Sequence, residues 1–168
     1  MSLALIPGSF DPMTVGHLDI VKRALALYDE VVVAVMVNAK KTYAHTMEQR
    51  VEMAQLTVAG LDRVRVVSSE GLLIDLFDEL GADVIVKGIR NEKDRAYEEK
   101  MAAANLARNP RAVTVYLQAA DDFEFVSSTA VRELLAKGEL PDGLVSDRVI
   151  EYFRAHGECD GLKGAQKA

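Results

Sequence analysis

The chain has 168 residues, with 20 Lys and Arg against 26 Asp and Glu, for a formal net charge of -6. At 49% hydrophobic residues it can form a core of its own, without a disulfide or metal staple, as one domain of ordinary size. The acidic balance argues against general nucleic-acid binding, which draws on many Lys and Arg contacts to phosphates. The lone Cys159 has no internal disulfide partner, which fits a reducing compartment.

Short, β-branched apolar runs alternate with segments of helical period. Residues 3–6 read as a strand, and 17–28 as a helix with Leu18, Val21, Leu25 and Tyr28 on one stripe. After a strand at 31–37, Thr46 and Gln49 form a capping box ahead of a helix whose Val51, Ala54 and Val58 share a face. A strand at 64–67 precedes a helix at 72–80, closed by Gly81. Strands follow at 84–86 and 113–117, separated by a helix over 92–108 that stops before Pro110. Residues 128–137 form a helix closed by Gly138, and 147–155 a last short one. Near-continuous apolar strands alternating with helices predict a doubly wound, five-stranded parallel α/β sheet with helices on both faces and right-handed crossovers. The expected organisation is one domain over 1–157 and a mobile tail over 158–168. The amino terminus lacks a basic, apolar leader, and the apolar run at 31–37 falls far short of the roughly 20 residues that cross a bilayer. The expectation is a soluble, cytoplasmic protein with no membrane partner.

Ligands of an open parallel sheet bind beyond the carboxyl ends of its strands, where strand order reverses. The loops after Ile6, Val37, Val86 and Leu117 are therefore the places to look. The first runs from Pro7 through Gly8, Ser9, Phe10, Asp11 and Pro12 to Thr14, Gly16 and His17. Its glycines permit close backbone approach, helix-start amides suit an anion, and His17 can donate to a phosphate oxygen. Alone, it is better explained as a tight turn with a capping histidine, and it is neither a dinucleotide fingerprint nor a P-loop. The second loop carries Lys40 and Lys41; the third, Lys87, Gly88, Ile89 and Arg90. The fourth carries Phe123, Glu124, Phe125, Val126, Ser127, Ser128 and Thr129, with Arg132 one turn on. Each has an ordinary reading as solvated surface or helix cap. Together, at one edge of one sheet, they point to a ligand rich in phosphate.

The segments 7–12, 14–17, 87–90, Tyr97 with Glu98, and 126–129 resemble the nucleotidyltransferases marked by a T/H-x-G-H loop and a hydroxyl-rich helix start. Within that superfamily the chain is most similar, from the first strand to about residue 154, to the bacterial phosphopantetheine adenylyltransferases. The resemblance implies a Rossmann-like fold and transfer of the adenylyl group of ATP to 4'-phosphopantetheine, giving dephospho-coenzyme A and pyrophosphate. It further implies Mg2+ held mainly by phosphates rather than protein side chains, a homohexamer, and feedback by coenzyme A.

Carried over by position, His17, Lys41 and Arg90 are the implied catalytic residues. Ser9, Phe10, His17, Gly88, Ile89, Arg90, Glu98 and the segment Phe123, Glu124, Phe125, Val126, Ser127, Ser128 and Thr129 are implied to bind ATP. Ser9, Lys41, Leu73 and Lys87 are implied to bind the acceptor. The chain departs from the family's pattern at Ser9, often Thr, at Ala39, often Pro, and at His45, often aromatic or apolar. Arg95 and Ala96 replace a Phe and an acidic residue, and Lys87 stands where Arg is frequent.

Other residues carry plainer readings. His45 is expected to be a loop residue, Asp121 and Asp122 a solvated loop, and Met47, Met53 and Met101 packing residues. His156 and Cys159 lack the further ligands of a zinc site. Alternatives left open are the same chemistry on another phosphorylated acceptor such as nicotinamide mononucleotide, cytidylyl transfer, a non-catalytic ATP sensor, and a structural interaction domain.

Overall fold

The computed structural model describes residues 1–158. Of the tail expected over 158–168, residues 159–168, Cys159 among them, lie outside the described residues. The chain forms β1 (Leu3–Gly8), α1 (Val15–Leu27), β2 (Glu30–Met36), α2 (Met47–Val58), β3 (Val64–Ser69), α3 (Leu73–Leu80) and β4 (Val84–Ile89). It continues through α4 (Glu92–Arg108), β5 (Thr114–Gln118), a 3-10 turn at Asp121–Phe123, α5 (Ser128–Ala136) and α6 (Asp147–Ala155).

All strand pairings are parallel, in the order β3-β2-β1-β4-β5. The apolar runs are continuous because both sheet faces are covered. Ala4, Ile6, Val31, Val33, Val35, Val84 and Val86 join one core cluster with Ile20, Val21 and Ala24 of α1 and Ala54 and Val58 of α2. Leu3, Leu5, Val32, Ala34 and Ile85 point the other way, against Ile74, Leu76 and Phe77 of α3. Each fully buried Val or Leu contributes roughly 1.5–3 kcal/mol by leaving water. A third cluster joins Met53 of α2 to α5 and α6 through Val131, Leu135, Val149, Ile150 and Phe153.

Three details differ from the sequence expectations. The strands extend further: β1 reaches Gly8, paired with Val35, and β4 reaches Ile89, paired with Gln118. Lys87, Gly88 and Ile89 therefore lie on a strand, held in register by the ladder, rather than in a loop. The inner face of α1 is Ile20, Val21 and Ala24; Leu18, Leu25 and Tyr28 pack only partly against the core. Met53 is fully buried, but Met101 is 46% exposed and is not a core residue.

The strand order reverses between β1 and β4. Chain leaving β1 turns to one side of the sheet and chain leaving β4 to the other, which opens a crevice at their carboxyl ends.

Candidate active site

The loop leaving β1 is pinned from several directions at that crevice. Arg50 Nη1 donates to Ser9 O at 2.8 Å and to Met36 O at 3.1 Å. Arg132 Nη1 donates to Asp11 O, and Ser128 Oγ to Pro12 O, each at 2.8 Å. The Asp11 carboxylate accepts the amides of Ala44 and His45 at 2.8 and 3.1 Å. Residues of α2, α5 and the segment before α2 thus hold three of the four positions from Ser9 to Pro12. Phe10 has a φ of 47°, a left-handed conformation that costs a non-glycine residue about 1–3 kcal/mol and persists only where surroundings enforce it. Its ring is buried and lies edge-on to His17, 5.0 Å away at 83°.

His17 completes a reciprocal cap at the start of α1. The Thr14 hydroxyl accepts from His17 N at 3.3 Å, and the Thr14 amide donates to His17 Nδ1 at 3.0 Å. Because Nδ1 is the acceptor, the neutral ring carries its proton on Nε2. Burial, then the charges of Arg90 and Lys87, lower the His17 pKa to about 4. The imidazole is therefore neutral at pH 7 and keeps one N–H donor.

Around it lies a cavity of about 340 Å3. From β1 and its loop come Ser9, Phe10 and His17, from the second loop Lys41, and from β4 onward Lys87, Gly88, Ile89, Arg90 and Glu98. The 3-10 turn and the segment leading into α5 supply Phe123, Val126 and Ser127, and the first turn of α5 supplies Ser128 and Thr129. A second cavity of about 180 Å3 shares Ser9, Lys41, Lys87 and Glu98 and is walled by Leu73, Tyr97, Met101 and Thr114. Leu73 faces this second compartment, not the first. Glu124 lines neither cavity, nor does Phe125, which is 86% exposed.

The charged residues of the site hold one another. Lys87 Nζ lies 3.3 Å from Glu98 Oε1, and Arg90 Nε donates to Asp94 Oδ2 at 3.1 Å. Asn91 caps α4, which carries Asp94 and Glu98. All three hydroxyls at the start of α5 are engaged in structure: Ser127 accepts from Ala130 N at 3.0 Å, and Ser128 donates to Pro12 O. Thr129 Oγ1 accepts from Arg132 Nη2 at 3.1 Å. The amides of Ser128 and Thr129, in the first turn of α5, have no intrahelical acceptor and remain for an anion. Gly88 is needed for packing: a Cβ there would meet Ile20 Cγ1 at 3.0 Å. Its absence lets α1, and His17 with it, sit against β4.

Several residues at the site carry roles that the sequence did not assign. Asp11 and Arg132, placed there in the first and fourth loops, act on the loop backbone, where a sequence carries no direct signal. Arg50 is only 2% exposed. It stands four residues before Ala54 on the inner face of α2, a spacing that could have marked it. His45 is a loop residue but a buried one, between Asp11 Oδ1 at 2.8 Å and Glu158 Oε1 at 3.0 Å. Tyr43 accepts from Asn38 N at 2.7 Å.

A parallel sheet with free helix-start amides at its reversal point is an architecture that binds phosphorylated ligands in many protein classes, and here the cytidylyltransferase-like family model matches residues 5–134. A phosphopantetheine adenylyltransferase from Rubrobacter xylanophilus is 43% identical, covering 92% of this chain and 94% of its own. One from Clostridium kluyveri is 42% identical, over 95% of this chain and all of its own length, 100%. One from Limosilactobacillus fermentum is 37% identical over 99% and 96%. The chain belongs to the cytidylyltransferase-like family and, within it, to the phosphopantetheine adenylyltransferases. A crystal structure from Vibrio parahaemolyticus, described as a nicotinate-nucleotide adenylyltransferase, superposes with a TM-score of 0.73 at 17% identity, covering 95% of this chain and 96% of that one. At that identity the likeness is one of fold.

Proposed function

We propose that the chain transfers the adenylyl group of ATP to 4'-phosphopantetheine, forming dephospho-coenzyme A and pyrophosphate. The observation that carries this reading is the pair of joined cavities sharing Ser9, Lys41 and Lys87. One compartment is lined by helix-start amides and cations that suit a triphosphate. The other has the apolar walls of Leu73 and Met101 that suit an extended acyl-amine arm.

The acceptor is a phosphate monoester, largely dianionic at neutral pH, and needs no general base. Its oxygen attacks the α-phosphorus; the new P–O bond forms as the bond to the β-phosphate oxygen breaks, and pyrophosphate leaves. Catalysis then rests on positioning two anions and stabilising charge. Neutral His17, with its Nε2–H, donates to an α-phosphate oxygen without adding a charge that would hold the product. Lys41 spans both compartments and clamps the reacting phosphates, Lys87 receives the acceptor's phosphate, and Arg90 with the Ser128 and Thr129 amides receives the nucleotide.

Among the described residues, no group of three or more His, Cys, Asp or Glu is arranged to hold a metal. The cavity carboxylates of Asp11, Asp94 and Glu98 are engaged by His45, Arg90 and Lys87. This donor set fits Mg2+ held by nucleotide phosphates and water, where it would offset charge on the departing pyrophosphate. The proposal extends to a cytoplasmic homohexamer with feedback by coenzyme A. None of the described helices is long and apolar enough to cross a membrane. Helix α4 buries none of its residues and exposes Tyr97, Met101 and Leu106, which supports an assembly that covers it.

Pyrophosphate release with ATP and Mg2+ tests the reading against a panel of 4'-phosphopantetheine, nicotinamide mononucleotide and other phosphorylated acceptors. Turnover is expected with phosphopantetheine; turnover with only another acceptor refutes it. Mass measurement by light scattering tests the hexamer.

A further inference from the structure

We infer that Arg50 is a positioning residue for the acceptor's phosphate, acting through the Ser9 backbone and the loop that carries Lys41. This rests on the adenylyltransferase reading above. Arg50 lines neither cavity. It lies behind them, 2% exposed, with Nη1 joining the end of β1 at Ser9 O to the end of β2 at Met36 O. Its guanidinium stacks on the Tyr43 ring, 4.0 Å from the centroid. The Tyr43 hydroxyl in turn accepts from Asn38 N, and Asn38 O accepts from Lys41 N at 3.0 Å. One buried side chain thus connects Ser9 and the Lys41 loop, two parts of the wall common to both cavities.

The charge of Arg50 is the second observation. Among the described residues it enters no ion pair, and its Nε has no hydrogen-bond partner. A buried cation is ordinarily paired, because desolvation is expensive. Carbonyl oxygens meet part of that need here, and substrate phosphates entering beyond Ser9 meet the remainder. A neutral side chain would have sufficed to fill the space between α2 and the sheet.

The test compares Arg50→Lys and Arg50→Gln with wild type in steady-state pyrophosphate release, alongside calorimetric ATP binding without acceptor and thermal melting. Lys keeps the charge but cannot present a planar fork between two carbonyls. The expected result is a loss of about 100-fold in kcat/KM for the acceptor in Arg50→Lys, as for a misplacement of about 1 Å. The loss is larger in Arg50→Gln, and the ATP dissociation constant changes far less than the acceptor kcat/KM in both. A folded variant whose acceptor kcat/KM stays within about threefold of wild type, or which loses ATP affinity in parallel, overturns the inference. If neither variant folds, Tyr43→Ala decides: a raised acceptor KM supports the assignment and an unchanged one overturns it. Wild type inactive on phosphopantetheine but active on another acceptor refutes the substrate reading alone, and the same ratios are then measured on that acceptor.

Discussion

His17 Nδ1 accepts the Thr14 amide at 3.0 Å, so the hydrogen bond that caps α1 also chooses the tautomer available to a substrate. Replacing His17 with Gln is expected to lower kcat by about 100- to 1000-fold, as for loss of one transition-state donor. ATP affinity measured by calorimetry should change little.

The same residue makes two pH predictions. With its pKa lowered from 6.5 to about 4, His17 stays neutral through the mildly acidic range. The acid limb of kcat/KM should therefore follow the acceptor's second phosphate ionisation and be retained in His17→Gln; an inflection near 6.5 that vanishes in the variant would overturn the tautomer argument. For stability, the folded pKa lies below the unfolded one. The contribution is complete above pH 6.5 and is lost as pH falls toward about 4. Urea denaturation of unliganded wild type and His17→Gln across that window should show wild type losing relative stability.

His45 has the opposite sign. Burial disfavours its charge, but the hydrogen bond to Asp11 and the charges of Glu158 and Asp11 outweigh this and raise its pKa above 6.5. Both ring nitrogens face carboxylate oxygens, so the protonated ring satisfies both. Asp11 is held below the usual carboxylate range: burial pushes it up, but the His45 and Ala44 hydrogen bonds and the charges of His45 and Arg132 prevail. The His45 contribution is complete below pH 6.5 and is lost as pH rises through its folded pKa. His45→Phe, which retains the stack on Phe153, should abolish that alkaline loss in thermal melts at graded pH. An unchanged slope would refute the charged bridge.

Lys87 sits between both cavities and lies 3.3 Å from Glu98. Lys87→Met should raise the acceptor KM about 10- to 150-fold, as for loss of a charge-assisted hydrogen bond. Lys87→Arg should keep most of the activity. Equal damage in both variants, read from initial rates over a range of acceptor concentrations, would count against a phosphate contact.

Gly88→Ala places a methyl 3.0 Å from Ile20, which is buried. Overpacking of this kind costs about 1–3 kcal/mol, readable by urea titration. A shift of α1 should also lower kcat by displacing His17.

The chain order of elements was legible in the sequence because a parallel sheet covered on both faces leaves continuous apolar runs, and helices between them carry caps and a 3.6-residue period. Helix bounds at 92–108 and 147–155 match the structure, since caps and breakers act locally. The ends of β1 and β4 were not legible: Gly8 and Lys87 to Ile89 become strand only because neighbouring strands pair with them.

At the site, the sequence by itself determined which chemistry is present: glycines, cations and hydroxyls grouped after strands, in a pattern resembling one enzyme family. Only the tertiary structure decided how those groups are used. It divided the lining residues between two joined cavities and left Glu124 and Phe125 outside both. It also engaged the Ser127 and Ser128 hydroxyls in holding the chain and buried Arg50 behind the site. Those outcomes depend on hydrogen bonds and burial between segments distant in sequence, such as Arg50 with Ser9 and Arg132 with Asp11. Composition and local period carry no record of such contacts, because the partners become neighbours only when the sheet closes.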